Sequence, residues 1–233
     1  MKHAQARKQT STSKQVTSSQ QGIHHRLEAT VTRHINSSFR KPYAEHNLRA
    51  FRQAEQFINR QNTSNIILDS GCGTGESTLN IAREHPEACV IGIDRSEARL
   101  SRKLDIREHE AGNYLLIRAQ LEDLWRLFTT AAITLHKHFL LYPNPYPKPG
   151  QLQRRWHASP LFPHLLQLGG ILECRSNWLI YIQELDHALA LSGVNGEIRK
   201  LEARDICPIS AFEKKYLASG HAIYQLQGKI DQR

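Results

Sequence analysis

Residues 142–148 (YPNPYPK) place an amide, aromatic rings and a cation in a loop stiffened by prolines. The loop follows an apolar run, HFLLYP at 138–143, which predicts a buried strand that ends where proline removes the N–H needed for the sheet. The rigid backbone would hold Asn144 at one angle, so that its carbonyl oxygen accepts from a planar polar substrate. Basic side chains that could bind phosphate lie in the loop (Lys148) or shortly after it (Arg154 and Arg155). The loop predicts a site for a base on a polyanion.

A second chemical pattern is the stretch ILDSGCGTGEST at 67–78, which follows a strand and opens a helix. Gly71 and Gly73 let the backbone turn tightly and approach a ligand at the helix N-terminus. About 20 residues on, Asp94 ends the next strand, where an acid typically binds ribose hydroxyls. Asp69, just before the loop, would face a cationic ligand better than a pyrophosphate. The pattern resembles the S-adenosylmethionine site of Rossmann-like methyltransferases; a dinucleotide site or a purely structural turn is the alternative.

The elements that position these loops alternate along the chain. Short aliphatic runs alternate with helix-like stretches, and the runs are NIILD (65–69), CVIGID (89–94), YLLIRA (114–119), HFLLYP (138–143) and GILECRS (170–176). Such alternation predicts an α/β fold with a doubly wound, mainly parallel sheet whose ligands bind at the carboxyl ends of the strands. We expect a disordered basic tail at 1–22, a helical extension at 23–64 with one helix over 44–61, and the catalytic domain at 65–233.

The composition favours one class of binding partner. Lys and Arg number 31 against 22 Asp and Glu, a net charge of +9, which favours a polyanion such as nucleic acid. No run approaches the ~20 apolar residues of a membrane span, so no membrane partner is expected. Histidine and cysteine spacing indicates no metal site, and the scattered cysteines predict buried free thiols in a reducing, cytoplasmic setting. We expect a monomer rather than an obligate oligomer.

Three ordered motifs make the chain similar to the tRNA (guanine-N7-)-methyltransferases from about residue 37 to the C-terminus. That family carries F-P-D-P-W-P-K, then T-D-W, then T-x-F-E, where this chain has YPNPYPK (142–148), SNW (176–178) and SAFE (210–213). The resemblance implies a class I methyltransferase fold with an antiparallel last strand, S-adenosylmethionine as cofactor and tRNA as partner. It further implies a cofactor set of Asp69, Gly71, Gly73, Asp94 and Gln120, with Asn144 as the catalytic residue that orients the base. The implied substrate set is Lys148, Arg154, Arg155, Asn177, Ser210 and Glu213.

The chain departs from the family where it replaces acids by amides. Asn144 and Asn177 stand at aspartate positions, and Gln120 stands where an acid is expected. Guanine N7 carries a lone pair and no proton, so no general base is required and positioning can suffice. Two alternatives stay open. The Asn-Pro-Tyr order also resembles the N-P-P-Y loop of methyltransferases that act on amides and amines, and an inactive RNA-binding relative would equally retain the fold.

Overall fold

The aliphatic runs form the strands of one central sheet. The computed structural model describes residues 13–102, 110–202, 204 and 206–231, and within them eight strands share this sheet. The strands are β1 (Ile66–Ser70), β2 (Cys89–Asp94), β3 (Glu110–Ala111), β4 (Tyr114–Arg118), β5 (Lys137–Leu141), β6 (Gly170–Ser176), β7 (Gly196–Leu201) and β8 (Ile223–Ile230). The helices are α1 (Leu27–Ile35), α2 (Glu45–Gln61), α3 (Glu76–Glu84), α4 (Glu97–Leu100), α5 (Leu121–Thr130), α6 (Phe162–Leu168), α7 (Leu179–Ala190) and α8 (Ala211–Ala218).

The sheet has the strand order β3-β4-β2-β1-β5-β6-β8-β7. The strand pairs β4–β2, β2–β1, β1–β5 and β5–β6 are parallel. Strand β8 runs antiparallel to both β6 and β7. The predicted doubly wound sheet with an antiparallel last strand is therefore confirmed. The direction of winding reverses between β1 and β5, which is where sheets of this kind bind ligands.

Burial on both faces explains the continuous apolar strands. Every residue of β1 and β2 is buried, as expected of strands covered by helices on both sides. The predicted helix over 44–61 is α2, whose buried residues Ala54 and Phe57 belong to the same hydrophobic cluster as the sheet residue Leu68. The helical extension at 23–64 thus shares the core of the domain that follows it.

The N-terminal tail is described only in part. Residues 1–12 lie outside the described residues, so their predicted disorder is not tested. Residues 13–22 form no helix or strand, but they make hydrogen bonds to the folded domain, including one from Gln20 to Glu184. The disorder of 1–22 stays a prediction.

Two smaller expectations can be compared with the fold. Cys72, Cys89 and Cys174 are buried free thiols, while Cys207 is exposed, contrary to the prediction for all the cysteines. None of the described helices is both long and apolar enough to cross a membrane.

Candidate active site

A cavity of about 660 Å³ opens at the carboxyl ends of the parallel strands. It lies against the ends of β1, β2 and β5, and Asn177, just after β6, completes that edge. Five predicted site residues line it: Gly71, Asp94, Asn144, Arg154 and Asn177. The remaining predicted residues do not line it, namely Asp69, Gly73, Gln120, Lys148, Arg155, Ser210 and Glu213. The fold therefore brings together residues that are more than a hundred positions apart in the chain.

The glycine loop forms an open cradle at one side of this cavity. Gly71 and Gly73 have φ of 81° and 63°, a left-handed conformation that a side chain would strain. A Cβ atom built at either glycine would meet nothing within 4 Å, so the space beside the loop is free for a ligand. Gly75 then caps helix α3, whose first amides point toward this side.

Asp69 lies behind the cradle with one oxygen satisfied and one free. Its Oδ2 accepts from the hydroxyls of Ser77 (2.6 Å) and Thr78 (2.7 Å), whereas its buried Oδ1 has no partner. Burial raises the pKa of this carboxyl to about 6, a rise that the two hydroxyls limit and the charge of Asp94 increases. A buried, unpaired carboxylate oxygen next to an open cradle fits a cationic ligand.

Asp94 ends β2 and is already held by backbone amides. Its Oδ1 accepts from Ser96 N–H (2.8 Å) and its Oδ2 from Gly73 N–H (3.1 Å). Arg99 also contacts Oδ2, at 3.2 Å, and extends toward solvent. These bonds fix the carboxylate at the cavity wall and leave Oδ1, which has one donor, with acceptor capacity for a hydroxyl.

Gln120 faces away from the cavity. Its N–H donates to Asn47 Oδ1 (3.0 Å), and Asn47 Nδ2 lies 3.4 Å from Gln120 Oε1. The cavity wall here is formed instead by Ala119, Leu121 and the carboxylate of Glu122. Sequence reasoning missed Glu122, because the strand end fixes a position only to within a residue or two. The role predicted for Gln120 toward adenine stays a prediction.

The loop after β5 is fixed at both ends by buried charged groups. Tyr142 and Tyr146 have positive φ, 51° and 44°, which costs a non-glycine residue roughly 1–3 kcal/mol. The Tyr142 hydroxyl donates to Glu213 (2.7 Å), and the Tyr146 carbonyl accepts from Arg155 Nε and Nη2 (3.2 and 3.0 Å). Between them, the exposed Asn144 makes one weak contact, from Tyr146 N–H to its Oδ1 at 3.4 Å. The loop backbone is constrained while its amide remains available.

Glu213 and Ser210 act on this loop from behind. Ser210 caps α8 by accepting from Glu213 N–H (3.2 Å), and Glu213 in turn accepts from Ile209 N–H (2.7 Å). Arg175 Nη1 contacts both Glu213 oxygens, at 3.0 and 3.2 Å. Burial lowers the pKa of Arg175, but the charges of Glu173 and Glu213, together with hydrogen bonds to both, outweigh burial and raise that pKa. With its oxygens occupied and its side chain buried, Glu213 steadies Tyr142 and does not touch the substrate cavity.

The basic residues of the loop separate into different environments. Lys148 and Arg154 are exposed, and the Arg154 guanidinium lies 5.9 Å from the Tyr146 ring. Arg155 is fully buried, pairs with Glu184 and lies over the Trp178 ring at 5.0 Å. The prediction that Arg155 holds substrate phosphate is therefore wrong, because a guanidinium enclosed by protein partners cannot reach one.

An aromatic group next to Tyr142, at the start of the loop after β5, was missed by sequence reasoning. Phe212 is 46% exposed and stacks on Tyr216, with ring centroids 6.2 Å apart and 24° between planes. Tyr216 stacks in turn on His221 at 5.2 Å, and the His221 Nδ1 lies 3.0 Å from Asn177 Nδ2. The SAFE motif contained a signal for Phe212. On a short helix, neighbouring residues lie on different faces, so Phe212 is exposed when the adjacent Glu213 is buried.

Comparison with known proteins identifies the chain. A protein family described as "Putative methyltransferase" matches residues 63–226, which is most of the chain. A tRNA (guanine-N(7)-)-methyltransferase of Nitrosomonas europaea is 30% identical over 166 residues, covering 67% of this chain and 72% of the relative. The chain belongs to the tRNA (guanine-N7-)-methyltransferase family. A second member, from Leifsonia xyli subsp. xyli, is 27% identical over 71% of this chain and 76% of its own length.

Solved structures place this family member among class I methyltransferases by fold. The 16S rRNA methyltransferase KamB superposes with a TM-score of 0.58 at 17% identity, covering 82% of this chain and 95% of its own. A 16S rRNA (adenine(1408)-N(1))-methyltransferase from Catenulisporales acidiphilia, solved with its cosubstrate SAM, gives 0.56 at 20% identity, over 77% and 92% of the two chains. At these identities the likeness concerns the fold alone.

The cofactor expected of this family fits the residues present. The family depends on S-adenosylmethionine, whose ammonium and sulfonium groups are cationic and whose ribose offers hydroxyls. The unpaired Oδ1 of Asp69, the open cradle at Gly71 and Gly73 and the carboxylate of Asp94 match that chemistry. Among the described residues there is no group of three or more His, Cys, Asp or Glu side chains that could hold a metal ion.

Proposed function

We propose that this protein transfers a methyl group from S-adenosylmethionine to N7 of a guanine in tRNA, in the cytoplasm. One observation carries the proposal: Asn144, Asn177 and Phe212, which come from the three motifs that resemble the family, line one cavity together with the glycine loop. The curated relatives are named for this reaction, which supports the same choice of base and atom.

The cofactor would be held by residues of β1, β2 and the loop between β1 and α3. When bound, S-adenosylmethionine supplies an electrophilic methyl group on a sulfonium. The free Oδ1 of Asp69 would attract its positive charge, and Asp94 would accept from the ribose hydroxyls. The glycine backbone would allow a close approach that any side chain at Gly71 or Gly73 would prevent.

The target base would be positioned rather than deprotonated. Guanine N7 has an in-plane lone pair and no proton, so Asn144 and Asn177 need only to hold the ring in line. Each amide can accept from guanine N–H groups through its carbonyl oxygen, without the charge assistance that a carboxylate would add. We therefore expect slower turnover than in relatives that keep the acids.

The RNA backbone would be held at the rim of the cavity. The cationic side chains that remain accessible there are Arg95, Arg99, Lys148 and Arg154. Exposed guanidinium and ammonium groups release counterions when they neutralise phosphates, so affinity for tRNA should fall steeply with salt. A monomer would suffice, since every residue named here lies on one chain.

Phe212 is expected to stack on the target guanine. Changing Phe212 to Ala should lower kcat/KM for tRNA about 5- to 100-fold, mainly through KM, because base–aromatic stacking is worth roughly 1–3 kcal/mol. Phe212→Tyr should retain most of the activity, since it keeps a stacking face. Steady-state kinetics with unmodified tRNA, beside cofactor titrations that should not change, provide the measurement. Equal loss in both variants would contradict the stacking role, because tyrosine keeps the aromatic face.

Nucleoside mass spectrometry tests the proposed reaction directly. Incubation with S-adenosylmethionine and unmodified tRNA, followed by digestion, should yield 7-methylguanosine. A different methylated nucleoside would instead indicate that the Asn-Pro-Tyr loop serves a methyltransferase that acts on amides or amines. If cofactor and tRNA both bind and no nucleoside gains a methyl group, the protein is an RNA-binding relative without this activity.

A further inference from the structure

The chain before helix α1 contacts residues that support the candidate site. Residues 13–24, which we call the N-terminal strap, lack helix and strand but make hydrogen bonds along the domain surface. At one end, Ser13 N–H donates to Ser219 Oγ at 2.9 Å, and His221 Nε2 lies 2.9 Å from the Ser13 carbonyl. Further along, the Ser18 hydroxyl donates to the carbonyl of Pro147, inside the loop after β5.

Gln20 inserts its amide into a buried ion pair. Its Nε2 donates to Glu184 Oε1 at 2.6 Å, and its Oε1 accepts from Arg155 Nη2 at 3.0 Å. Arg155 and Glu184 are both fully buried and joined directly, and His157 adds a contact to Glu184 at 3.0 Å. The His24 N–H, at the end of the strap, also donates to Glu184 Oε1 at 3.0 Å. Buried charges need every hydrogen-bonding position filled, so this pair depends on the strap for three of them.

The buried ion pair in turn constrains the backbone of the loop after β5. The Arg155 guanidinium holds the Tyr146 carbonyl through two hydrogen bonds, next to the left-handed φ of Tyr146. A residue keeps an unfavourable backbone conformation only when several surrounding contacts hold it there. Ser18 and Gln20 therefore reach the same loop by separate routes, one directly and one through Arg155.

The strap also reaches the second amide of the site. His221 joins Ser13 through Nε2 and Asn177 through Nδ1, an arrangement that requires the neutral Nε2-protonated tautomer if Asn177 donates. Asn177, which follows β6, lines the same cavity as Asn144. One segment thus contacts supports of both amides that would orient the base.

We propose that the N-terminal strap is a built-in part of the base-binding site, in which Ser18 and Gln20 are positioning residues for the loop that carries Asn144. The inference rests on the proposed function, because it assumes that Asn144 orients the target base. It assigns to residues 13–24 a role in catalysis, whereas their composition alone favoured a mobile cationic arm.

Two strap variants and one matched control test this role in the full-length protein. Gln20→Ala removes the bonds to Glu184 and Arg155, Ser18→Ala removes only the contact with Pro147, and Gln21→Ala changes the adjacent exposed side chain. Loss of a hydrogen bond to a charged group predicts about tenfold lower kcat for Gln20→Ala and a smaller loss for Ser18→Ala, which Ser18→Thr should restore. The dissociation constant for S-adenosylmethionine should stay unchanged, since the cofactor cradle lies elsewhere.

Hydrogen–deuterium exchange of the peptide that covers residues 142–148 supplies a measurement independent of activity. Exchange should be about tenfold faster in Gln20→Ala than in wild type and unchanged in Gln21→Ala, because Gln20 supports the conformation of this loop through Arg155. Unchanged exchange in both strap variants, or faster exchange with unchanged kcat, would overturn the proposal. If wild type methylates no RNA, the proposed function fails, and the exchange result alone decides on the strap.

Discussion

Replacing Asp69 by Asn should weaken cofactor binding and at the same time stabilise the cofactor-free protein. The isosteric amide can still accept from Ser77 and Thr78, but it lacks the negative charge that attracts a cationic ligand. A hydrogen bond to a charged group is worth about 1.5–3 kcal/mol, so the dissociation constant for S-adenosylmethionine should rise about 10- to 100-fold. Isothermal titration calorimetry measures this directly.

The gain in stability follows from the cost of ionising a buried acid. Burial raises the pKa of Asp69 from 3.8 to about 6 on folding, so between these values the folded state keeps a proton that the unfolded state has lost. Wild type therefore loses stability as pH rises through this window, by up to about 3 kcal/mol, and the neutral variant does not. The free energies of unfolding of wild type and Asp69→Asn should be similar near pH 4, and the difference between them should be complete above pH 6.

Denaturant unfolding at several pH values, without cofactor, checks the window. Glu28→Gln is the matched control, because it neutralises an exposed carboxylate on α1 and should change stability by less than about 0.5 kcal/mol. Affinity of wild type for the cofactor should also fall below pH 6, as Asp69 takes up its proton. A variant that binds the cofactor normally, or one no more stable than wild type at pH 7.5, would refute the role assigned to Asp69.

The strands that form the parallel part of the sheet and the place of the cavity could be predicted because they depend on local patterns. Apolar runs of strand length identify β1 and β2, and parallel strands must present Asp69 and Asp94 at the same edge. Glycine spacing located the cradle for the same reason, since a left-handed backbone needs glycine at Gly71 and Gly73. These features use information carried by neighbours in the chain.

The contacts made by charged side chains could not be predicted in this way. Arg154 and Arg155 are adjacent and chemically identical, yet one is exposed and the other is buried against Glu184. Nothing local distinguishes them, because the difference depends on Glu184 from α7 and Gln20 from the strap, both distant in sequence. The contacts of residues 13–22 escaped prediction for the same reason: polar hydrogen bonds between distant segments leave no periodic pattern.

Removing the amide of Asn144 is expected to have the other large effect. In Asn144→Ala the constrained loop remains, but the group that orients the base is lost, and kcat should fall about 100-fold, as for a misplacement of about 1 Å. Because Asn144 is exposed and makes only a weak contact to Tyr146, stability should barely change. Single-turnover methyl transfer to tRNA at saturating cofactor measures the loss without a contribution from product release.

Asn144→Asp restores the residue type expected of the family and should act in the opposite direction. A carboxylate accepts from guanine N–H groups with charge assistance, which roughly doubles the strength of a hydrogen bond and predicts up to about a tenfold increase in kcat. Asn195→Asp, in the exposed turn after α7, adds the same negative charge away from the cavity and controls for weaker attraction of tRNA. A fall in kcat for Asn144→Asp alone would mean that the amide itself is required, which is the behaviour expected if the target donates from an exocyclic amine.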